Sequence, residues 1–343
     1  MTINVIPGLT GNLIMVGLYF LTAVPLALFI ILLVVMDSFS LTKWSTLLFS
    51  VAAGMLMFLV SWLICRIPAI GESRLLVSIV EELCKGAILY LLIARHKVGL
   101  LGDATIYGSA IGAGFGLLSN VFYLHAHGGA NVWHTIFLGC EAAVMHIGCT
   151  SLLAMALIMV HQGKFGESRR AKVLGTLISL VVTILVHYIH ALEPINPIIL
   201  TILLIIYFII SKRSLFKKNS RFVHEWLDEG INNEINLLGA VKRGEFHTTR
   251  AGEYMMTLKE RFDPETFFDM FCYVQNYLEL SIAARSNMIL KEAGMDPVHD
   301  PVNQTRLQEL SVIRKRIGPT GEIALRPIVD RSQVNRWALT QLI

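Results

Sequence analysis

The sequence predicts an all-α protein: a polytopic membrane helix bundle of about seven transmembrane helices followed by a mainly helical cytosolic domain. Three observations carry this. Of the 343 residues, 54% are hydrophobic and only 16% charged, a composition of integral membrane proteins. The apolar residues fall in runs near the roughly 20 positions a helix needs to cross a bilayer. Those runs stop near residue 213, where the chain turns polar but keeps helical periodicity. The expected division is 1–213 for the membrane domain and 214–343 for the cytosolic one.

The first apolar segment, 13–35, is too long for the core of a cleaved signal, and residues 1–12 hold no Lys or Arg, so it reads as a retained helix. The second runs over 44–65 and the third over 75–94. The fourth, 104–124, is built on Gly108, Gly112, Gly114 and Gly116 with Ser109 and Ala113 between them, a pattern that lets helices approach closely. The fifth covers 132–160 and the sixth 174–191. The seventh, 198–210, is short and gains length through Asn196 and Pro197, since proline is tolerated in a first helical turn.

Lys43, Arg95, Lys97, Lys164, Arg169, Arg170, Lys172, Lys212, Arg213, Lys217 and Lys218 all fall on one side of such a bundle. The opposite loops, 125–131 and 193–196, hold no Lys or Arg, and only Arg66 and Arg74 oppose the trend. Cytoplasmic loops carry the basic excess. The expectation is a multi-pass protein of the cell membrane, with its N-terminus outside and its C-terminal domain cytoplasmic.

In the tail, Phe222, Trp226, Ile231, Ile235 and Leu238 have helix-like spacing. An amphipathic run over 264–293 starts at Asp263-Pro264 and stops at Gly294. Residues 295–305 and 317–323 read as loops, the second marked by Gly318-Pro319-Thr320-Gly321. The tail shows no Walker loop, repeat or metal signature and reads as a regulatory or assembly domain. The formal charge is a modest +4, and no nucleic-acid partner is implied. The five cysteines are scattered without a CxxC pair, so neither a disulfide framework nor a zinc motif is expected.

Polar groups inside the apolar segments mark a site. Ile79-Val80-Glu81-Glu82-Leu83-Cys84-Lys85 puts three ionisable groups in the third segment, each costing on the order of 2.5–3.5 kcal/mol at a helix centre. Something in the protein interior must meet them. Glu81 and Lys85 are i,i+4 and would neutralise each other, which leaves Glu82, about 100° away, for another partner. Asn120, near the end of the fourth segment, needs partners for its amide and suits orienting a carboxylate or holding a substrate backbone.

On the fifth segment His146 and Thr150 share a face. Glu141 lies about 140° around from His146 and need not serve the same site; its simpler role is an interhelical hydrogen bond. The sixth ends with His187 and His190 at i,i+3, the second expected with Glu193 at a solvated rim. His125, His127 and His134 are expected to be solvent-exposed.

Two carboxylates with two imidazoles on separate helices suit hydrolysis. A carboxylate can deprotonate water, while histidines orient it, protonate the leaving amine or stabilise the oxyanion. The same groups include usual zinc ligands, with His146 and His187 the candidates. There is no HExxH, and the sequence leaves open whether the site uses no cofactor or a divalent metal such as zinc.

The order Glu81-Glu82-x-x-Lys85, then Phe115-x-x-x-Ser119-Asn120-x-x-Tyr123, then His146-x-x-x-Thr150, then His187 resembles the PrsW family of intramembrane proteases. More distantly it is similar to the CAAX-protease and bacteriocin-processing superfamily. The resemblance covers about 74–190. It implies an intramembrane endopeptidase that cuts a membrane-anchored protein substrate in the lipid bilayer, near its surface, in regulatory proteolysis. Glu81 and Glu82 would be the catalytic carboxylates, His146 and His187 the catalytic histidines, and Asn120 the amide of the second motif. Lys85, Ser119, Glu141, Thr150 and His190 complete the supporting or substrate-binding set.

The chain departs from the pattern in two places. Many members carry Glu where Ser119 stands, and a small polar or acidic residue where Ala191 stands. Either Glu141 or His190 substitutes in space, or catalysis is altered or lost. The alternatives are thus a catalytically altered binding or signalling protein, or a proton- or metal-coupled transporter, since intramembrane Glu, Lys and His also mark ion pathways. A transporter predicts internal pseudo-symmetry, which the sequence does not display. Whether the protein forms a homo-oligomer stays open.

Overall fold

Backbone amides in lipid must find partners inside the chain, and this chain meets that demand with helices. The computed structural model describes residues 7–35, 42–127, 132–166, 168–192, 197–329 and 332–342, and no strand occurs among them. In order they form α1 (Pro7–Val35), α2 (Trp44–Ile64), α3 (Pro68–Gly71), α4 (Arg74–Ala94), α5 (Leu101–His127) and α6 (Val132–Ala142). A π-helical turn (Ala143–Ile147) leads into α7 (Gly148–His161), followed by α8 (Arg169–Ala191), α9 (Pro197–Lys242), α10 (Arg250–Leu258), α11 (Pro264–Glu292), α12 (Pro301–Ala324) and α13 (Gln333–Thr340).

All seven apolar segments are therefore helical. By length and composition, three described stretches suffice to cross a membrane: Trp44–Ile64, Thr135–His161 and Arg169–Ala191, with Val16–Leu32 a shorter apolar helix. The segments in α4 and α5 are not among them for opposite reasons. α4 carries Arg74, Glu81, Glu82 and Lys85, whereas α5 is diluted by glycine and other small residues. The chain divides into two compact units, one of residues 1–37 and 41–217, the other of residues 38–40 and 218–343.

In the first unit α5 is the axis. Its residues 102–116 are buried without a break. On one side it crosses α2 at backbone contact. A Cβ on Gly54 would lie 2.1 Å from the Ile111 carbonyl oxygen, and one on Gly114 would lie 2.0 Å from that of Val51. Each glycine thus admits the other helix's backbone, the usual basis of close helix pairing in membranes. On its other side α5 packs against the π turn and α7.

α8 lies at the periphery with its polar stripe turned inward. Ser179, Thr183 and His187 are buried, whereas Leu174, Leu177, Ile178, Val181, Leu185 and Ile189 are exposed. This inside-out amphipathicity suits a helix that faces lipid. Ser73 and Ser168 start α4 and α8 by accepting hydrogen bonds from the amides of Leu76 and Ala171.

The second unit is built on a buried cation. Arg285 on α11 is 3% exposed and meets Glu234 of α9 at 3.1 Å. It also donates to the Trp226 carbonyl and, at 3.3 Å, to Asn335 of α13. Its guanidinium stacks 3.9 Å from the Trp226 ring centroid. Trp226, Gly230 and Glu234 recur at i,i+4 on one face of α9, and a Cβ on Gly230 would collide with Arg285 at 2.0 Å. Around this hub Met270, Val274, Leu278, Met288, Ile313 and Trp337 form the core.

The structure corrects three local expectations. The seventh segment's helix does not stop near 210, because residues 198–229 contain neither Gly nor Pro to end it. The loop expected over 295–305 ends at Asp300, whose Oδ1 accepts from the Val302 amide at 2.9 Å with Pro301 in the first turn of α12. Asp263 and Pro264 open α11 in the same way, with the Thr266 amide 2.9 Å from Asp263 Oδ1. The loop expected over 317–323 is instead a kink in α12 at Gly318, with φ 63° and ψ −177°.

Two substitutions test these packings. Gly114→Leu places a side chain inside α2 and is expected to abolish accumulation of folded protein in detergent. Arg285→Met strands Glu234 and is expected to cost about 3–5 kcal/mol, read as a lowered unfolding midpoint of the full chain.

Candidate active site

The polar residues of α4 lie on the side turned toward α7 and α8. Glu82 and Lys85 are both fully buried, and Glu82 Oε1 accepts from Lys85 Nζ at 2.6 Å. The same oxygen accepts from His187 Nδ1 on α8 at 2.8 Å. Lys85 therefore pairs with Glu82 and not with Glu81, contrary to the i,i+4 expectation. Positions i+3 and i+4 both neighbour residue i on a helix surface, and Glu82 is the deeper carboxylate, with a second donor arriving from α8.

Because His187 spends Nδ1 on Glu82, its Nε2 faces Glu81. The separation to Glu81 Oε2 is 3.5 Å, and Glu81 is the more accessible carboxylate, with 17% of its side chain exposed. His146 completes the cluster. Its ring stands nearly perpendicular to that of His187, with centroids 5.8 Å apart, and lies 4.9 Å from the Phe115 ring. Lys85 Nζ sits 4.8 Å from the same Phe115 ring centroid, so one aromatic side chain spans the ammonium and the imidazole.

The backbone around His146 explains its placement. The residue lies in the π turn Ala143–Ile147, a feature that recurs at functional sites. Such a turn advances fewer degrees per residue than an α turn, so the rotation expected between Glu141 and His146 on an unbroken α-helix does not apply. Thr150 is buried and donates to the His146 carbonyl at 2.7 Å, which makes it a backbone support. Gly112 admits this turn to α5: a Cβ there would lie 2.3 Å from the His146 carbonyl oxygen.

The remaining expected residues fall into two groups. Asn120 is 2% exposed and Ser119 half-buried at the same end of α5. His190 and Glu141 meet each other, Nε2 to Oε1, at 3.5 Å with 14% and 31% of their side chains exposed. α6 thus supplies His190, in the last turn of α8, with a partly exposed carboxylate partner. Glu193 and the side chains of His127 and His134 lie outside the described residues, and His125 is exposed. All five cysteines are free.

Three buried polar atoms of these residues have no hydrogen-bond partner among the described residues: Glu82 Oε2, His146 Nδ1 and Asn120 Nδ2. An unmet buried polar atom is costly, so these three stand out among the polar groups of the cluster. Phe115 and Gly112 were not expected at the site. Phe115 opens the second motif in the sequence, but its contact with two cluster residues depends on tertiary structure.

Carboxylates and imidazoles are thus gathered from three helical elements inside an apolar bundle. Residues 13–212 match the PrsW family of intramembrane metalloproteases, and the chain belongs to that family. No curated protein and no solved structure matches it.

The family description implies a metal, which the donor chemistry fits in part. Two ligands of one tetrahedral zinc lie about 3.3–3.5 Å apart, and Glu81 Oε2 and His187 Nε2 are 3.5 Å apart. Glu82 on the far nitrogen of His187 has the place of an outer-sphere carboxylate. No group of three His, Cys, Asp or Glu is poised to hold a metal among the described residues. Glu81 and His187 are the fitting pair, and His146 is the nearest imidazole to them.

Gly112→Ala is expected to push the His146 carbonyl away and lower activity by about 100-fold, the scale of a 1 Å misplacement, together with a lowered melting temperature. Gly148→Ala, where no atom lies within 4 Å of the added Cβ, is the control and is expected to keep activity.

Proposed function

We propose that the chain is an intramembrane endopeptidase that cleaves a membrane-anchored protein in regulatory proteolysis, with Glu81 as general base. The observation that carries this reading is the cluster itself: Glu81 and Glu82 of α4 on the two nitrogens of His187, with His146 beside them, in a chain of a protease family. The reading includes seven spans, an outside N-terminus and a cytoplasmic tail in the cell membrane, following the distribution of Lys and Arg.

The roles follow from the contacts. Glu82 holds His187 through Nδ1 and is itself held by Lys85, which keeps the imidazole in one tautomer with Nε2 toward the reacting groups. Glu81, the accessible carboxylate, takes a proton from water. The resulting hydroxide adds to the scissile carbonyl. The proton then passes to the departing nitrogen as the C–N bond breaks, which returns Glu81 to its carboxylate form.

His146 supplies a second imidazole for the oxyanion or the leaving amine. Asn120 Nδ2, a buried donor without a partner among the described residues, serves to hold a substrate backbone carbonyl. Where a divalent ion is bound, Glu81 and His187 are the pair at ligand spacing, Glu81 would then be a ligand and not the base, and the ion would polarise the carbonyl and acidify water.

Expression of the wild type with candidate single-pass membrane proteins should release a fragment that Glu81→Gln and Glu82→Gln each reduce by about 100- to 10,000-fold, the worth of a positioned acid–base group. Glu81→Gln should still insert and melt like the wild type, whereas Glu82→Gln, which takes the counter-charge from buried Lys85, should insert with a lowered melting temperature. A cleavage pattern shared by wild type and variants on an accepted substrate contradicts the assignment. Activity of purified protein should fall on addition of 1,10-phenanthroline and return with zinc if a metal takes part.

A further inference from the structure

Arg66 and Arg74 are the two cations that oppose the charge asymmetry of the loops. Arg66 lies over the Trp62 ring at 4.2 Å. Arg74, the first residue of α4, instead reaches across to α8 and donates from Nη1 to the Ala191 carbonyl at 2.8 Å. Ala191 is the last residue of α8, where carbonyls lack an amide from their own helix and the helix dipole attracts a cation.

The contacts between α4 and α8 share one antiparallel register. Arg74 meets Ala191, Glu81 and Glu82 meet His187, and the Cβ position of Gly86 lies 3.4 Å from Leu180 Cδ2. Seven residues separate Arg74 from Glu81, about two helical turns, so the cation and the carboxylates occupy one side of α4. The Arg74 carbonyl accepts from the buried Ser78 hydroxyl at 2.9 Å within the first turns of α4. The last turn of α8 has a second hold where His190 meets Glu141 of α6 at 3.5 Å.

We propose that Arg74 is a positioning residue whose bond to Ala191 sets the register of α8 on α4, and so selects His187 over His190 as the imidazole on the two carboxylates. The two histidines are i,i+3, so a slip of α8 by one turn exchanges them. One-turn displacements of packed helices are a known form of two-state movement. A long exposed side chain bonded to a carbonyl at the helix end resists that slip without occupying the site.

The importance of this register for cleavage rests on the proposed function; the register itself does not, and its test uses another readout. Arg74→Ala, Arg74→Lys and wild type in lipid nanodiscs are treated with diethyl pyrocarbonate, and each histidine's modification is mapped by mass spectrometry. In the wild type, His187 is expected to react far more slowly than the exposed His125. Arg74→Ala should raise the His187 rate severalfold with an unchanged melting temperature and unchanged His125 labelling, and Arg74→Lys, which keeps a cationic donor, should restore protection.

On a cleaved substrate, kcat of Arg74→Ala should fall about 10- to 100-fold with little change in KM, and Lys should recover it. Equal protection of His187 in Arg74→Ala and wild type overturns the proposal. So does a rise in labelling at every histidine together with a lowered melting temperature, which marks general loosening. Absence of cleavage by the wild type counts against the protease reading and leaves the labelling result standing.

Discussion

The structure of the membrane unit depends on one oxygen. Glu82 Oε1 accepts from both Lys85 Nζ and His187 Nδ1, at 2.6 and 2.8 Å, with the Glu82 and Lys85 side chains fully buried. An ionised carboxylate or ammonium alone there would be expensive, and removing one member of such a set leaves an uncompensated charge. The pair within α4 lowers the cost of insertion, and the bond to His187 ties α8 to α4. The charge that makes α4 a poor lipid-facing helix thereby fixes the direction of an imidazole.

Around this centre the chain uses close backbone approach to hold its positions. Gly54 and Gly114 bring α2 onto one side of α5, and Gly112 brings the π turn of His146 onto another. Phe115, between those contacts, reaches Lys85 and His146 together. Arg74 of α4 and Glu141 of α6 contact the last turn of α8. Ser119 leaves its position without a carboxylate, and the Glu141–His190 pair is the additional acid–imidazole contact near the cluster.

Much of the fold was legible because hydropathy is local. The seven apolar runs are all helices, and Asp263-Pro264 opens α11 as read. Asp300-Pro301 carries the same start signal, but the polar residues around it mask the helix it opens. The identities of the clustered residues were legible too, since ionisable groups are rare in apolar segments. Their pairing was not: Glu81 and Glu82 are equally near Lys85 along the helix, and the choice falls to Glu82 because His187 arrives from a segment more than a hundred residues later. The π turn changes few backbone bonds and leaves no mark in composition. Gly112 reads as packing alone until the His146 carbonyl is seen against it.

The account stands on Glu82 holding His187, and a double-mutant cycle tests this most directly. Unfolding free energies of wild type, Glu82→Gln, His187→Gln and the double variant, measured in bicelles, give the coupling between the two side chains. The account predicts a coupling of about 1–3 kcal/mol, as for residues sharing a buried hydrogen bond. Effects that add within about 0.5 kcal/mol, the behaviour of independent sites, would contradict it.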